Sequence, residues 1–347
     1  MKKTLTFDDV LLVPKYSEIE SRSQINLDVD LPKTNNLLIP IVSSPMDTVT
    51  ELEMIVAMGI SGGLGVVHRY NTIEEQMKIV GTARKMLPDD ACVGAAIGVT
   101  GDFVNRAEAL YDEGADVLCL DIAHGHHVLM QKAIKALRGS LGESVHIMAG
   151  NVATLQAFND LADWGADSIR VGVGGGSICS TRVMTGHGVP TLQSVIECAQ
   201  SDRDSLLIAD GGIKQTGDVV KALAAGADLV MLGSMLAGTD ESPGESFTVP
   251  ELVDGKQEYT EYKRYRGMAS ADAQIDWRGH VSSEEGVTYR VKPKGPVNKT
   301  LERIEKALRS GMSYSGAMNL MELRAKSEMI TITQASLVES KPHIFQK

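Results

Sequence analysis

Short, continuously apolar runs recur along the chain at residues 38–45, 62–68, 92–98, 116–123, 146–153, 168–174, 205–212 and 229–236. They do not alternate polar with apolar positions, which predicts strands covered on both faces, as in a parallel sheet. Between them lie stretches of helical periodicity, such as 103–114, 154–165 and 217–226. Three units share a signature ahead of the strand: Gly114-Ala115-Asp116, Gly165-Ala166-Asp167 and Gly226-Ala227-Asp228. Glycine at that point predicts a helix C-cap leading into the next strand. Eight such β/α units predict an α/β fold closed as a (β/α)8, or TIM, barrel. A doubly wound open sheet is the alternative, but its dinucleotide fingerprint does not follow the first strand.

The 347 residues suit one barrel, and no Pro- or Ser-rich linker argues for more, so residues 1–347 read as a single catalytic domain. Residues 239–295 fall outside the wheel. They are polar, show no long helical period and read as a structureless insertion, a mobile flap over the active face. Residues 299–310 then read as the eighth helix.

A net charge of −11 without a basic cluster argues against nucleic acid as a partner. No run reaches the ~18 apolar residues of a membrane span, and the first residues lack the apolar core of a signal peptide. Four cysteines without CxxC spacing speak against disulfides or a zinc site. A cytoplasmic protein is expected. Cys92, Cys119 and Cys198 sit in apolar patterns and read as small core residues.

Cys179 differs. It follows the sixth strand in Val171-Gly172-Val173-Gly174-Gly175-Gly176-Ser177-Ile178-Cys179-Ser180-Thr181-Arg182. A glycine-rich loop that presents a thiol among hydroxyls suits a nucleophile, with Arg182 available to hold the thiolate. Barrels carry their active face at the carboxyl ends of the strands. That rule puts Asp47, His68, Asp121, His124, Asn151, Cys179, Asp210 and Ser234 around one mouth. Ser177, Asp210-Gly211-Gly212 and Gly233-Ser234 suit a phosphate and a ribose diol there. His124, His126 and His127 invite a metal reading, but their loop lacks ligand spacing. Asp121 is better placed to touch a cofactor.

In these residues the chain resembles the family that joins IMP dehydrogenases and GMP reductases. The resemblance covers nearly every residue. It rests on Leu5-Thr6-Phe7-Asp8-Asp9-Val10-Leu11-Leu12-Val13-Pro14, Pro45-Met46-Asp47-Thr48-Val49, Ala149-Gly150-Asn151-Val152, Gly176-Ser177-Ile178-Cys179, Ala209-Asp210-Gly211-Gly212 and Tyr265-Arg266-Gly267-Met268. It implies a usually tetrameric barrel that takes a purine nucleoside monophosphate and a nicotinamide cofactor and bonds Cys179 to purine C2. By that resemblance the nucleotide is held by Ser177, Asp210, Gly211, Gly212, Gly233 and Ser234. From the flap come Tyr265, Gly267, Met268, Ser270 and Gly286. The cofactor falls to Asp121, Ala123, Gly172, Gly174 and Arg69, with Ser21, Arg22, Ser313 and Tyr314, some of them from a neighbouring subunit. K⁺ would sit on the backbone carbonyls of Gly174, Gly176 and Cys179. Gly175 stands where the family usually has proline.

Two activities share this framework. The dehydrogenase hydrolyses its adduct with a flap Arg-Tyr pair; the reductase expels ammonia and accepts hydride. Residues 269–286 contain no Arg-Tyr pair, and residues 68–92 are too short for the dehydrogenases' regulatory insertion. Glu20-Ser21-Arg22-Ser23, Thr185-Gly186-His187-Gly188 and residues 195–199 look reductase-like. Residues 44–51 and Ala123-His124-Gly125-His126 look dehydrogenase-like, and Arg278 is a substitute for the missing arginine. On mechanism the expectation is an NADPH-dependent GMP reductase, with Cys179 as nucleophile and Thr181 and Glu285 assisting ammonia departure. The alternatives are an IMP dehydrogenase using NAD, and a nucleotide-binding protein without catalysis.

Overall fold

A computed structural model describes residues 3–253 and 256–340. In chain order the strands are β1 (Val10–Leu12), β2 (Ile41–Ser43), β3 (Leu64–Val67), β4 (Val93–Ile97), β5 (Val117–Asp121), β6 (His146–Val152), β7 (Ser168–Val171), β8 (Leu206–Asp210) and β9 (Leu229–Leu232). Then follow β10 (Ser246–Val253), β11 (Lys256–Arg266), β12 (Thr288–Val291) and β13 (Met329–Thr331). β2 to β9 pair in parallel and in sequence order, and β9 closes on β2, which makes the eight-stranded barrel that the apolar runs predicted. Each expected run contains one of these strands. β13 pairs antiparallel with β1, so the carboxyl-terminal part folds back onto the amino-terminal segment.

Helices return the chain between strands: α1 (Leu52–Ile60), α2 (Ile73–Met86), α3 (Phe103–Asp112), α4 (Val128–Leu141), α5 (Leu155–Trp164), the short α6 (Thr181–Thr185), α7 (Thr191–Cys198) and α8 (Thr216–Ala224). After the barrel come α9 (Ala271–Arg278), α10 (Val297–Tyr314), α11 (Leu320–Lys326) and α12 (Gln334–Glu339). Their inner faces and the barrel strands form one continuous apolar core, in which Ile55, Leu110, Leu137, Leu161 and Leu223 are fully buried. Among the described residues no helix is long and apolar enough to cross a membrane.

The recurrent Gly-Ala-Asp has a double use. Gly114, Gly165 and Gly226 have φ of 96°, 110° and 117°, which lets the helix stop and the chain turn into the strand. The aspartate after each reaches sideways to the preceding strand. Asp116 accepts the N–H of Val93 at 2.8 Å, Asp167 that of Ile147 at 2.7 Å and Asp228 that of Leu207 at 2.7 Å. Each is also paired with a helix arginine: Arg84 with Asp116, Arg138 with Asp167 and Arg324 with Asp228. The end of the barrel where the strands begin is thus laced by three equivalent clamps.

The insertion differs from its expectation. β10, β11 and β12 form an antiparallel three-stranded sheet, followed within the flap by α9 between β11 and β12. β11 hides from a periodicity search because its tyrosines, Tyr259, Tyr262 and Tyr265, fall every third residue. Only Tyr262 and Tyr265 are buried, and Tyr262 stacks on Phe247 of β10. The eighth barrel helix, α10, is also longer than the expected 299–310.

Candidate active site

Beyond the carboxyl ends of the strands opens a cavity of about 300 Å³. β7 ends at Val171, and the next residue packs so tightly that a Cβ on Gly172 would lie 1.9 Å from the carbonyl oxygen of Asp210. The glycine loop then carries Cys179 to an exposed position, whereas Cys92, Cys119 and Cys198 are buried, as their apolar settings predicted. Burial pushes the Cys119 thiol up to about 11 and that of Cys198 to about 12, which keeps both protonated.

The flap supplies the opposite wall by pairing with the cysteine loop. Gly286 bridges Cys179 in antiparallel fashion, Ser180 N–H donates to Glu285 O at 3.0 Å, and Val287 N–H donates to Ile178 O at 3.0 Å. This pairing delivers a chain of polar side chains. The Cys179 thiol donates to Thr181 Oγ1 at 3.2 Å, and Thr181 donates to Glu285 Oε2 at 2.8 Å. Ser283, which sequence reasoning did not select, donates to the second oxygen, Oε1, at 3.0 Å.

On the β8–β9 side, Gly211, Gly212, Gly233 and Ser234 line the cavity with Ser177, Tyr265, Gly267, Met268 and Gly286. Ser177 Oγ lies 3.5 Å from the Tyr265 hydroxyl, and burial pushes that phenol up to about 12. A neutral hydroxyl is therefore available to an anion. Met268 is fixed by its sulfur, which accepts the N–H of Asp47 at 3.3 Å.

Toward β5, the cavity is lined by Asp121, Ala123, Gly172, Gly174 and Arg69. Arg170, a β7 residue inside the barrel, ties this side to the other. Its Nη1 donates to Asp121 Oδ1 at 2.8 Å, while Nε and Nη2 reach Asp210 Oδ2 at 3.2 and 3.1 Å. Asn151 Nδ2 adds a third donor to the same Asp210 oxygen at 2.8 Å. Burial works to raise the Asp121 carboxyl, but Arg170 and then Arg69 outweigh it and hold the group below its usual range. Asn151 stands at the mouth as the strand-end rule expects, whereas Arg170 was not anticipated there. The available signal was a lone arginine in an otherwise apolar strand, which burial forces to find carboxylates.

Some expectations do not hold in place. Arg182 does not serve as the thiolate's partner: its guanidinium donates to Val189 O at 2.8 Å and its stem lies against Gly174 and Gly188. Ser270 caps α9 by accepting the N–H of Ala273, and it does not line the cavity. His68 is turned to Glu51 at 3.1 Å, and His126 to Asp160 at 2.7 Å. Asp47 is engaged by Arg266 of the flap at 2.6 Å. Ser21, Arg22, Ser313 and Tyr314 lie outside this cavity and gather at the carboxyl-terminal end of α10. There Lys15 N–H donates to Tyr314 O, and Arg309 reaches the Arg22 carbonyl. Arg278 donates to Ser282 at 2.7 Å and pairs with Gln274, both within the flap.

The donor sets fit the small groups implied by the resemblance. Asp121, beside glycine backbone, offers a carboxylate to ribose hydroxyls of a dinucleotide. Gly176 and Cys179 end one tight turn, closed by Cys179 N–H on Gly176 O at 3.2 Å, and Gly174 lies two residues ahead of it. Neutral oxygens of this kind suit a monovalent cation.

The site thus joins an exposed loop thiol to a hydroxyl and a carboxyl beside a cleft, and the relatives below define its class as oxidoreductases acting on purine nucleotides. A family model described as "IMP dehydrogenase / GMP reductase domain" matches residues 4–343. The inosine-5'-monophosphate dehydrogenase of Nitrosopumilus maritimus (strain SCM1) is 35% identical over 99% of this chain and 98% of its own. That of Cryptosporidium parvum is 37% identical over 98% and 95%. The GMP reductase of Leishmania major is 33% identical over 99% and 97%. A crystal structure of a cysteine-to-alanine variant of GMP reductase from Trypanosoma brucei, in complex with guanosine 5'-monophosphate, matches with a TM-score of 0.90 at 32% identity, over 100% of this chain and 99% of that one. The chain belongs to the IMP dehydrogenase / GMP reductase family, whose members use a nicotinamide dinucleotide.

Proposed function

We propose that the protein is a GMP reductase that converts GMP and NADPH to IMP, ammonia and NADP⁺. The observation that carries this reading is the relay from Cys179 through Thr181 to Glu285. The Cys179 thiolate adds to purine C2, and the exocyclic amine leaves as ammonia with a proton passed from Glu285 through Thr181. NADPH, when bound, supplies the hydride that reduces C2; the C2–S bond then breaks and returns the thiolate. Ser177, Gly212, Gly233, Ser234 and the neutral Tyr265 hold the phosphate, and Asp210 takes the ribose diol. Asp121, Ala123, Gly172, Gly174 and Arg69 face the cofactor, with K⁺ on the turn that carries Cys179. Ser21, Arg22, Ser313 and Tyr314 would reach a cofactor from the neighbouring subunit of a homotetramer. A cytoplasmic location accords with this chemistry.

The dehydrogenase reading is favoured by the relatives of that name, at 35% and 37% identity. Alignments to both branches run longer than these 347 residues, to 477 positions with the N. maritimus enzyme and 486 with the L. major reductase. The shorter chain therefore does not separate the two activities. The flap supports the reductase reading: a dehydrogenase must free a water-activating base, and Arg278 is engaged by Gln274 and Ser282. Purified protein given GMP plus NADPH should consume the reduced-nicotinamide absorbance, with little NADH formed from IMP plus NAD⁺. Arg278→Ala should retain most of the activity. Robust NADH formation that is lost in Arg278→Ala would make the protein a dehydrogenase, and turnover of neither pair would leave a binding protein.

A further inference from the structure

Two carboxylates stand at the ends of strands that do not touch, Asp121 on β5 and Asp210 on β8. Both side chains are only 16% exposed, and between them lies Arg170 of β7 at 8%. Two like charges in so dry a place repel, and each is costly without a partner. Arg170 answers both with one planar fork: Nη1 for Asp121, and Nε with Nη2 for Asp210. Its Nη1 also meets Cys119 Sγ at 3.3 Å, so the barrel interior fixes the fork from beneath.

The fork also decides which oxygens face the ligands. On Asp210 the donors from Arg170 and Asn151 all converge on Oδ2, which leaves Oδ1 as the oxygen presented to the cavity. On Asp121, Arg170 takes Oδ1 and Arg69 lies 3.5 Å from Oδ2. Arg69 comes from a loop at the rim and is 30% exposed, so it can yield to a ligand, whereas Arg170 cannot move away.

We propose that Arg170 is a positioning residue shared by the two ligand sites, orienting Asp210 toward the purine nucleotide and Asp121 toward the dinucleotide at once. The proposal rests on the assignment of those two aspartates made above. It predicts a pattern that neither aspartate alone produces. Asp210→Asn should weaken GMP binding at least tenfold and leave NADPH within threefold; Asp121→Asn should do the reverse. Arg170→Met should weaken both at least tenfold, while kcat at saturation falls less than threefold. Arg170→Lys keeps the charge but replaces the planar fork with a single ammonium, so it should recover only part of either affinity and leave both at least threefold weaker than the parent.

The measurements are KM for GMP and for NADPH, with calorimetric affinities for each, and melting curves to compare the folded proteins. Because Arg170→Met strands two buried carboxylates, the double variant Arg170→Met/Asp121→Asn is made as well. It should bind GMP at least tenfold more weakly than Asp121→Asn alone. If Arg170→Met weakens one ligand only, or if Arg170→Lys binds both ligands as the parent does, the shared role of the fork is overturned while the aspartate assignments stand. If Asp121→Asn and Asp210→Asn leave both affinities unchanged, the site assignment itself falls and the proposal falls with it.

Discussion

Thr181→Val is the sharpest test of the relay. Valine keeps the shape of threonine and removes one hydroxyl. That hydroxyl accepts from Cys179 at 3.2 Å and donates to Glu285 at 2.8 Å, so a single atom severs the path between thiol and carboxyl. A hydrogen bond to a charged group contributes about 1.5–3 kcal/mol, which converts to roughly 10- to 150-fold in rate if it is felt in the transition state. General acid assistance to a leaving amine contributes about 10²–10⁴, which meets that range near 10². We expect kcat for GMP and NADPH to fall about 100-fold. KM for GMP should stay within about threefold, because the relay does not include Ser177, Gly233 or Tyr265. Thr181→Ser, which restores the hydroxyl, should regain most of the rate. The assay is steady-state loss of NADPH absorbance at saturating GMP. A kcat for Thr181→Val within threefold of the parent would refute the relay.

Cys179→Ala should abolish turnover while GMP still binds with near-parent affinity by calorimetry; residual turnover above background would remove the thiol from the mechanism. His146 gives a prediction about stability. It is fully buried, with Nδ1 on Pro32 O and Nε2 on Ser168 Oγ, both at 2.8 Å, and burial lowers its pKa below the ordinary value of 6.5. Above about pH 6.5 the ring is neutral in both states and its contribution is complete; below that the unfolded chain takes up a proton that the folded one refuses. Stability should therefore fall with acidification by up to about 1.4 kcal/mol per pH unit from this group. In urea unfolding, His146→Gln should flatten the slope between pH 6.5 and 5.5, and an unchanged slope would show that the ring does not titrate as argued.

The barrel was readable because its strands are buried on both faces and so announce themselves as unbroken apolar runs. The sheet of the flap was not, since it is half exposed and its buried Tyr262 and Tyr265 are three residues apart, a spacing that suits a helix face and not the alternation of a strand. Among site residues, Cys179, Thr181 and Glu285 came together as expected from the loop and the resemblance. Arg182 was misread because proximity in sequence says nothing about direction: α6 begins at Thr181 and sends the guanidinium toward Val189. Ser283 and Arg170 were missed for opposite reasons. Ser283 sits in an exposed polar stretch where every residue looks alike, and Arg170 sits in a core strand whose apolar run draws the eye away from its one charge.

The Gly-Ala-Asp clamps carry a consequence for how the chain can be cut and rejoined. Each aspartate grips the strand beside it in space, and its arginine comes from a helix packed nearby, so the lacing depends on neighbourhood rather than on where the polypeptide starts. A circular permutant opened in a loop beyond the carboxyl ends of the strands would keep all three clamps intact and lose only part of the rim. One opened between Gly165 and Asp167 would cut a clamp at its hinge. The end of the barrel that does no chemistry is thus the end that limits where new termini are tolerated.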